Sequence, residues 1–172
     1  MFENPEIALE SLPDVEDPDW ESMHPRYVRC LQVQHLMVSL FPVVGATVFT
    51  IFLHRFVAQT TLLWTLVIAF AAIFISWPAI SVPRRGYVVR DKDIVFRSGV
   101  IFRSVTAIPY NRIQHVETSS TPFDRKYGVA SLQIFTAGGS GGDLKISGLG
   151  KDVAEKLRLH ILDKAGASIE HA

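Results

Sequence analysis

The chain has 172 residues, 48% of them hydrophobic, and its 17 basic and 17 acidic side chains cancel. That apolar fraction at zero net charge excludes a disordered protein, and a single cysteine, Cys30, excludes an intrachain disulfide scaffold. The cancellation hides an asymmetry, because residues 1–21 hold eight carboxylates and no Lys or Arg, leaving the remainder at +8. Such a split reads as a solvated acidic tail beside a body suited to a membrane surface or another anionic partner.

Residues 1–29 are this acidic N-terminal segment. From Val33 to Leu53 there are 21 residues without a charge. As a helix rising about 1.5 Å per residue they reach roughly 31 Å, close to a bilayer hydrocarbon core of about 30 Å. His54 and Arg55 end the run, and the apolar part of the next one, about Thr61 to Val82, is also long enough to span. Both are apolar around the whole circumference, unlike the one-sided stripe of a soluble core helix. An acidic start and a late apolar run do not fit a cleaved signal peptide. Pro42 and Pro78 are tolerated in membrane helices, and Trp64 and Trp77 lie towards the two ends of the second span, where interfacial aromatics sit.

The short join from His54 to Thr60 makes residues 30–83 an antiparallel transmembrane hairpin with both chain ends on one side. The join carries Arg55 alone, whereas Arg26, Arg29, Arg84, Arg85, Arg90 and Lys92 flank the spans. Cytoplasmic loops carry the excess of Lys and Arg, so the expectation is a multi-pass protein of the cytoplasmic (inner) membrane with both termini cytoplasmic.

Residues 86–147 change to short stretches rich in Val, Ile, Phe and Tyr, separated by polar turns such as Asp91-Lys92-Asp93. Ile94, Phe96 and Ser98 alternate with Val95 and Arg97, and Leu132, Ile134 and Thr136 with Gln133 and Phe135. Period-two alternation in short segments predicts an antiparallel sheet or barrel. Pro122 and Gly128 mark Thr121–Gly128 as a longer connection. After Gly150 the period becomes helical: Val153, Leu157 and Ile161, with Ala154 beside them, form the apolar stripe of one helix over about 151–165 that ends near Gly166 and caps the barrel.

Arg112-Ile113-Gln114-His115-Val116, the Pro-Phe-Asp-Arg-Lys-Tyr-Gly stretch at 122–128, Leu132–Gly139, and Ile146-Ser147-Gly148-Leu149 before the last helix resemble the bacterial pleckstrin-homology-like (PH-like) membrane proteins of the YdbS type. The resemblance covers about residues 25–165. It implies two membrane helices before one PH-like domain, a bent seven-stranded antiparallel barrel closed by a C-terminal helix. It also implies a protein partner, a larger membrane protein with several similar domains. The fold expected is thus a two-helix transmembrane hairpin followed by a mainly-β PH-like domain: a bent antiparallel barrel over 84–165 capped by a C-terminal α-helix, with a tail at 166–172.

No motif for chemistry emerges. The six histidines include no pair at i, i+4 on one helix and no HExxH, so no metal site is expected. His115 takes the opposite strand face from Arg112 and Gln114 and reads as strand lining. The glycine-rich Ala137–Gly142 lacks the Lys-Ser/Thr of a phosphate loop and reads as a hairpin turn. There is no GxSxG or Ser-x-x-Lys, and no nucleotide, haem or flavin signature. No catalytic residue and no cofactor are expected.

The remaining signal is charge. Residues 83–165 carry a net +6, and cations beside a membrane gain about 1 kcal/mol each near anionic lipid. Arg84, Arg85, Arg90 and Lys92 are the expected contacts with the membrane surface. Eukaryotic PH domains that read inositol phosphates use a Lys…Arg-x-Arg pattern, which is incomplete here because Ser98-Gly99 follow Arg97. Neither span holds an Asp, Glu, Lys or Arg to carry an ion, so a two-helix transporter is not indicated. Gly45 and Ala46 offer small-residue packing for a homo-oligomer, and no nucleic-acid recognition motif is present. The function expected is a membrane-anchored, non-enzymatic interaction or scaffold module. The alternative is a sensor of anionic lipid acting through the basic juxtamembrane surface.

Overall fold

A computed structural model describes residues 18–52, 57–137 and 144–170. The acidic residues 1–17, the His54–Arg55 join, the glycine-rich Gly138–Gly142 and the last two residues lie outside the described residues.

The uncharged runs form two long helices, α1 (Arg26–Phe52) and α2 (Val57–Ser81). Both are long and apolar enough to cross a bilayer, and only 11% and 17% of their most apolar stretches are buried. Helices of a soluble core would be covered. Phe41, Ile51, Phe52, Leu62 and Ile73 instead stand outward, as lipid-facing side chains do. The small residues Ser39 and Ala46 are buried, whereas Gly45 faces open space. Ala46 is therefore already covered within the chain.

Proline determines how the two helices meet. Pro78 has no N–H, so the carbonyl of Phe74, four residues back, loses its helical partner. A carbonyl left unpaired in hydrocarbon is costly. His35 of α1 supplies the missing donor: its Nδ1 lies 2.7 Å from the Phe74 oxygen, and its ring stacks on the Phe74 ring at 4.1 Å between centroids. Because the carbonyl can only accept, Nδ1 carries the proton. Ser39, Thr47 and Thr65 hydroxyls each donate to the carbonyl four residues earlier in their own helix, so these polar side chains are satisfied without leaving it.

After α2 a 3-10 turn, Val82–Arg84, leads directly into the sheet. The strands are β1 (Glu21–Ser22), β2 (Gly86–Val89), β3 (Asp93–Ser98), β4 (Ser104–Pro109), β5 (Ile113–Ser119), β6 (Val129–Thr136) and β7 (Leu144–Gly150). They form two antiparallel sheets, in orders β1-β2-β3-β4 and β5-β6-β7. The β-rich region read at 86–147 forms six of these strands, although Val100–Arg103 within it is the turn before β4. The seventh, β1, comes from before the hairpin, where it pairs Glu21 with Tyr87 and Ser22 with Gly86. That pairing brings both ends of the hairpin out on one side.

The mainly-β PH-like class holds, but the hydrogen-bonded ladder does not close into one barrel. Pro109 ends β4 and the 3-10 turn Tyr110–Arg112 follows, so β4 and β5 belong to different sheets. Side chains from both sheets fill the space between them, with Ile94, Leu132, Ile134, Ile146 and Leu149 fully buried.

Helix α4 (Lys151–Glu170) packs on β5, β6, β7 and the Tyr110–Arg112 turn. Its buried stripe is Ala154, Leu157, Ile161 and Ala165, while Val153 is 40% exposed and stands at the margin. The helix also runs past Gly166 to Glu170, because an isolated glycine costs about 1 kcal/mol and neither proline nor a cap follows it. One other expectation gains detail and one needs correction. Thr121–Gly128 contains a helix, α3 (Pro122–Tyr127), with Thr121 and Asp124 forming a reciprocal capping box, Pro122 in the first turn and Gly128 left-handed at the end. His115 does not line the strand interior. A bulge between Ile113 and His115 breaks the alternation, so Ile113 and Val116 point inward and His115 sits outside, 3.0 Å from Glu117.

The helix contact gives a double-mutant test. His35→Leu should destabilise the hairpin by about 1 kcal/mol in micelle unfolding. In a Pro78→Ala background, where residue 78 regains its N–H, most of that loss should vanish. Equal losses in both backgrounds would mean that His35 does not serve the Phe74 carbonyl.

Candidate functional site at the hairpin end of the domain

The chemistry of this protein gathers where α2 leaves the hairpin. Residues 20–30 form an arm that ties α1 to both sheets. Gly86 leaves room for it: a side chain there would meet the Arg97 Nε at 3.2 Å and Trp20 at 3.3 Å. The Trp20 ring covers the Arg97 guanidinium at 4.4 Å, a cation–π arrangement. The arm then turns, with the His24 N–H donating to the Gly148 carbonyl at 2.8 Å and the His24 Nδ1 accepting from the Arg26 N–H at 3.2 Å.

The first turns of α1 belong to the core of the domain. Met23, Tyr27 and Cys30 are buried with the sheet residues. The Tyr27 ring occupies the place of a side chain at residue 148, where a Cβ would lie 2.2 Å from it, and Gly148 has φ +89° besides. Only glycine fits on both counts. The Tyr27 hydroxyl bonds to Ser147 and Arg85, while burial raises its pKa above the usual phenol value. Cys30 lies 3.6 Å from the Asp124 carboxylate, the same carboxylate that caps α3. Burial, with Asp124 adding to it, pushes the Cys30 thiol from 9.0 up to about 11. This thiol is protonated and inert at neutral pH, a structural group rather than a nucleophile.

The four cations read from the sequence divide into two pairs. Arg84 and Arg85 lie at the α2 exit. Arg84 donates to the Ile80 carbonyl at 2.6 Å, where it also complements the helix C-terminus. Arg90 and Lys92 sit in the β2–β3 turn, at the opposite end of the ladder from Gly86. There Arg90 is 3.9 Å from Asp93 and its carbonyl accepts the Tyr110 hydroxyl at 2.9 Å.

The exit has cations that sequence reading did not assign. One groove of about 440 Å³ is lined by Trp20, Arg84, Arg97, Gly99 and Arg103, among others. A second, of about 340 Å³, is lined by Trp77, Arg85, Val100 and Lys145, and shares Ser98 and Gly99 with the first. Arg97 and Arg103 come to this end because β3 and β4 pair from Asp93–Pro109 to Ser98–Ser104, placing their turn beside the end of α2. The register of one hairpin would have shown this, had the partner strand been known. Among the described residues, no group of three His, Cys, Asp or Glu side chains is arranged to hold a metal.

The family description "Bacterial PH domain" matches residues 38–165, about three quarters of the chain. The chain belongs to the bacterial PH domain family. A relative of this bacterial PH-domain protein is the "UPF0699 transmembrane protein YdbS" of Bacillus subtilis (strain 168), 37% identical over 51 residues. That similarity covers 30% of this chain and 32% of the relative, so the chain matches about a third of the relative's length. No solved structure matches. With the two exposed apolar helices, these similarities make the chain a membrane-associated PH-like protein.

The arm can be tested through its thiol. Alkylation of Cys30 in the folded protein should be slow at neutral pH, with a midpoint near pH 11 against about 9 after unfolding. Because the folded value is the higher one, burial of the neutral thiol stabilises the fold below about pH 9, and this contribution is lost as pH rises towards 11. Gly148→Ala should cost about 2 kcal/mol or more and speed Cys30 alkylation at pH 8. An unchanged rate would separate Tyr27 from the docking of the arm.

Proposed function

We propose that this protein is a membrane-anchored, non-enzymatic interaction module. The hairpin fixes it in the cytoplasmic membrane with both termini in the cytoplasm, and the PH-like domain is offered to a protein partner. The observation that carries this reading is the double attachment of the domain. It is joined to α2 through one 3-10 turn and to α1 through Tyr27, Cys30 and β1. A domain held in this way shows a fixed face to its surroundings, which suits recognition more than the opening and closing of an active site.

The outer face of α4 carries Leu159, 56% exposed, together with the Glu155–Arg158 pair at 2.6 Å. The relative named as a transmembrane protein supports the membrane anchor, and the resemblance to YdbS-type proteins is what suggests a partner that bears PH-like domains. A photo-crosslinker at Leu159, activated in intact membranes, should yield a discrete adduct with such a protein. A reporter fused after Ala172 should behave as cytoplasmic. A periplasmic reporter would reverse the orientation, and a purified sample that turned over a lipid or nucleotide would remove the non-enzymatic reading.

A second reading, an anionic-lipid sensor, is favoured by one observation: Arg84 and Arg85 lie where α2 leaves the hairpin. Its cations would be Arg84, Arg85, Arg90 and Lys92.

A further inference from the structure

The turn between β3 and β4 breaks the usual rule for large apolar side chains. Ile101 is 76% exposed and Phe102 90% exposed, side by side at the tip. This is a built turn. Gly99 has φ +111°, and a Cβ there would lie 1.8 Å from the Phe102 carbonyl oxygen, so the backbone closes tightly behind the tip. Ser98 and Ser104 close its base, with their hydroxyls 3.3 Å apart. Such a turn holds two greasy side chains out with little freedom to fold back.

The position of the tip gives this exposure a direction. Gly99 and Val100 share a groove with Trp77, which lies one helical turn above Ser81 on α2. The base of the turn therefore lies beside the last apolar turn of the second span, where an interfacial tryptophan sits. Directly behind it, Arg84, Arg97 and Arg103 line the larger groove. Among the described residues, no carboxylate lies within ion-pair distance of any of the three. The Arg97 Nε is buried with no hydrogen-bond partner among the described residues. Three arginines line this groove with no ion-paired carboxylate among the described residues, beside an apolar turn and next to the end of α2.

We infer that the β3–β4 turn is a third membrane contact: Ile101 and Phe102 enter the boundary between headgroups and acyl chains, and the groove behind them binds the phosphate of an anionic phospholipid through Arg84, Arg97 and Arg103. Apolar side chains gain by leaving water at this depth, and guanidinium groups bind phosphate through paired N–H donors. The Trp20 ring over Arg97 holds one guanidinium in place. This site deepens the lipid reading above and rests on it, but assigns the contact to Arg97 and Arg103 rather than to the far turn of Arg90 and Lys92.

The test uses the full-length protein in nanodiscs, with an environment-sensitive dye on Ile101→Cys; the buried Cys30 stays unlabelled. Discs contain phosphatidylcholine and phosphatidylglycerol at a fixed ratio, with the quencher carried on one or the other. Blue-shifted emission is expected, with about fivefold stronger quenching from the phosphatidylglycerol-borne quencher. Arg97→Gln with Arg103→Gln should abolish that preference, and Arg90→Gln with Lys92→Gln should leave it intact. Emission typical of water, or equal quenching from both lipids, overturns the site. A preference that survives the Arg97 and Arg103 changes but is lost with Arg90 and Lys92 also overturns it, while leaving the sensor reading in place. No preference in any variant removes both.

Discussion

Tyr27 lies in the space that a side chain at residue 148 would need, and the relation between hairpin and sheets depends on that contact. Around it, the His24 N–H reaches the Gly148 carbonyl, Cys30 meets Asp124, and Glu21–Ser22 extend a sheet whose other strands all follow the second helix. Without these contacts, α1 would end at the membrane surface and the domain would hang from α2 alone. With them, two turns of α1 are part of the domain core. The constraint also explains Gly148, Gly86 and Asp124 together, since each leaves space or supplies a polar partner for the same arm.

The hairpin shows the same economy of polar groups. Proline in α2 leaves a carbonyl unpaired, and a histidine from α1 donates to it. The bond does more than satisfy the carbonyl, because it fixes which residue of α1 lies level with which residue of α2. That level in turn places Cys30 beside α3 and Trp77 beside the β3–β4 turn.

Much of this was legible in the sequence, for identifiable reasons. Hydrocarbon thickness imposes a length that an uncharged run either meets or misses, so both spans could be read. Alternation could be read at Ile94–Ser98 and Leu132–Thr136, and short β-rich stretches between turn signals located the other strands. The start of α1 was harder, since the apolar run measures the bilayer and not the helix, and Arg26–Gln32 continues it into water. Strand β1 has only two residues, and no local pattern marks it. The capping box of α3 was present as Thr121-Pro-Phe-Asp124, but a proline between strand patterns reads as a breaker before it reads as the first residue of a helix. Arg97 and Arg103 carry no local signal that sets them apart from the other cations; only the β3–β4 register puts them beside the end of α2. The bulge before His115 is set by pairing with β6, which a single strand cannot reveal.

Attachment at two points also changes what the domain can feel. A module on one flexible stalk drifts independently of its anchor. Here the sheets are clamped to both helices, so any lean of the pair turns the domain by the same angle. Helix pairs lean to match the thickness of the lipid around them. The clamp around residue 27 thus ties the bearing of the domain to whatever tilt the two helices share.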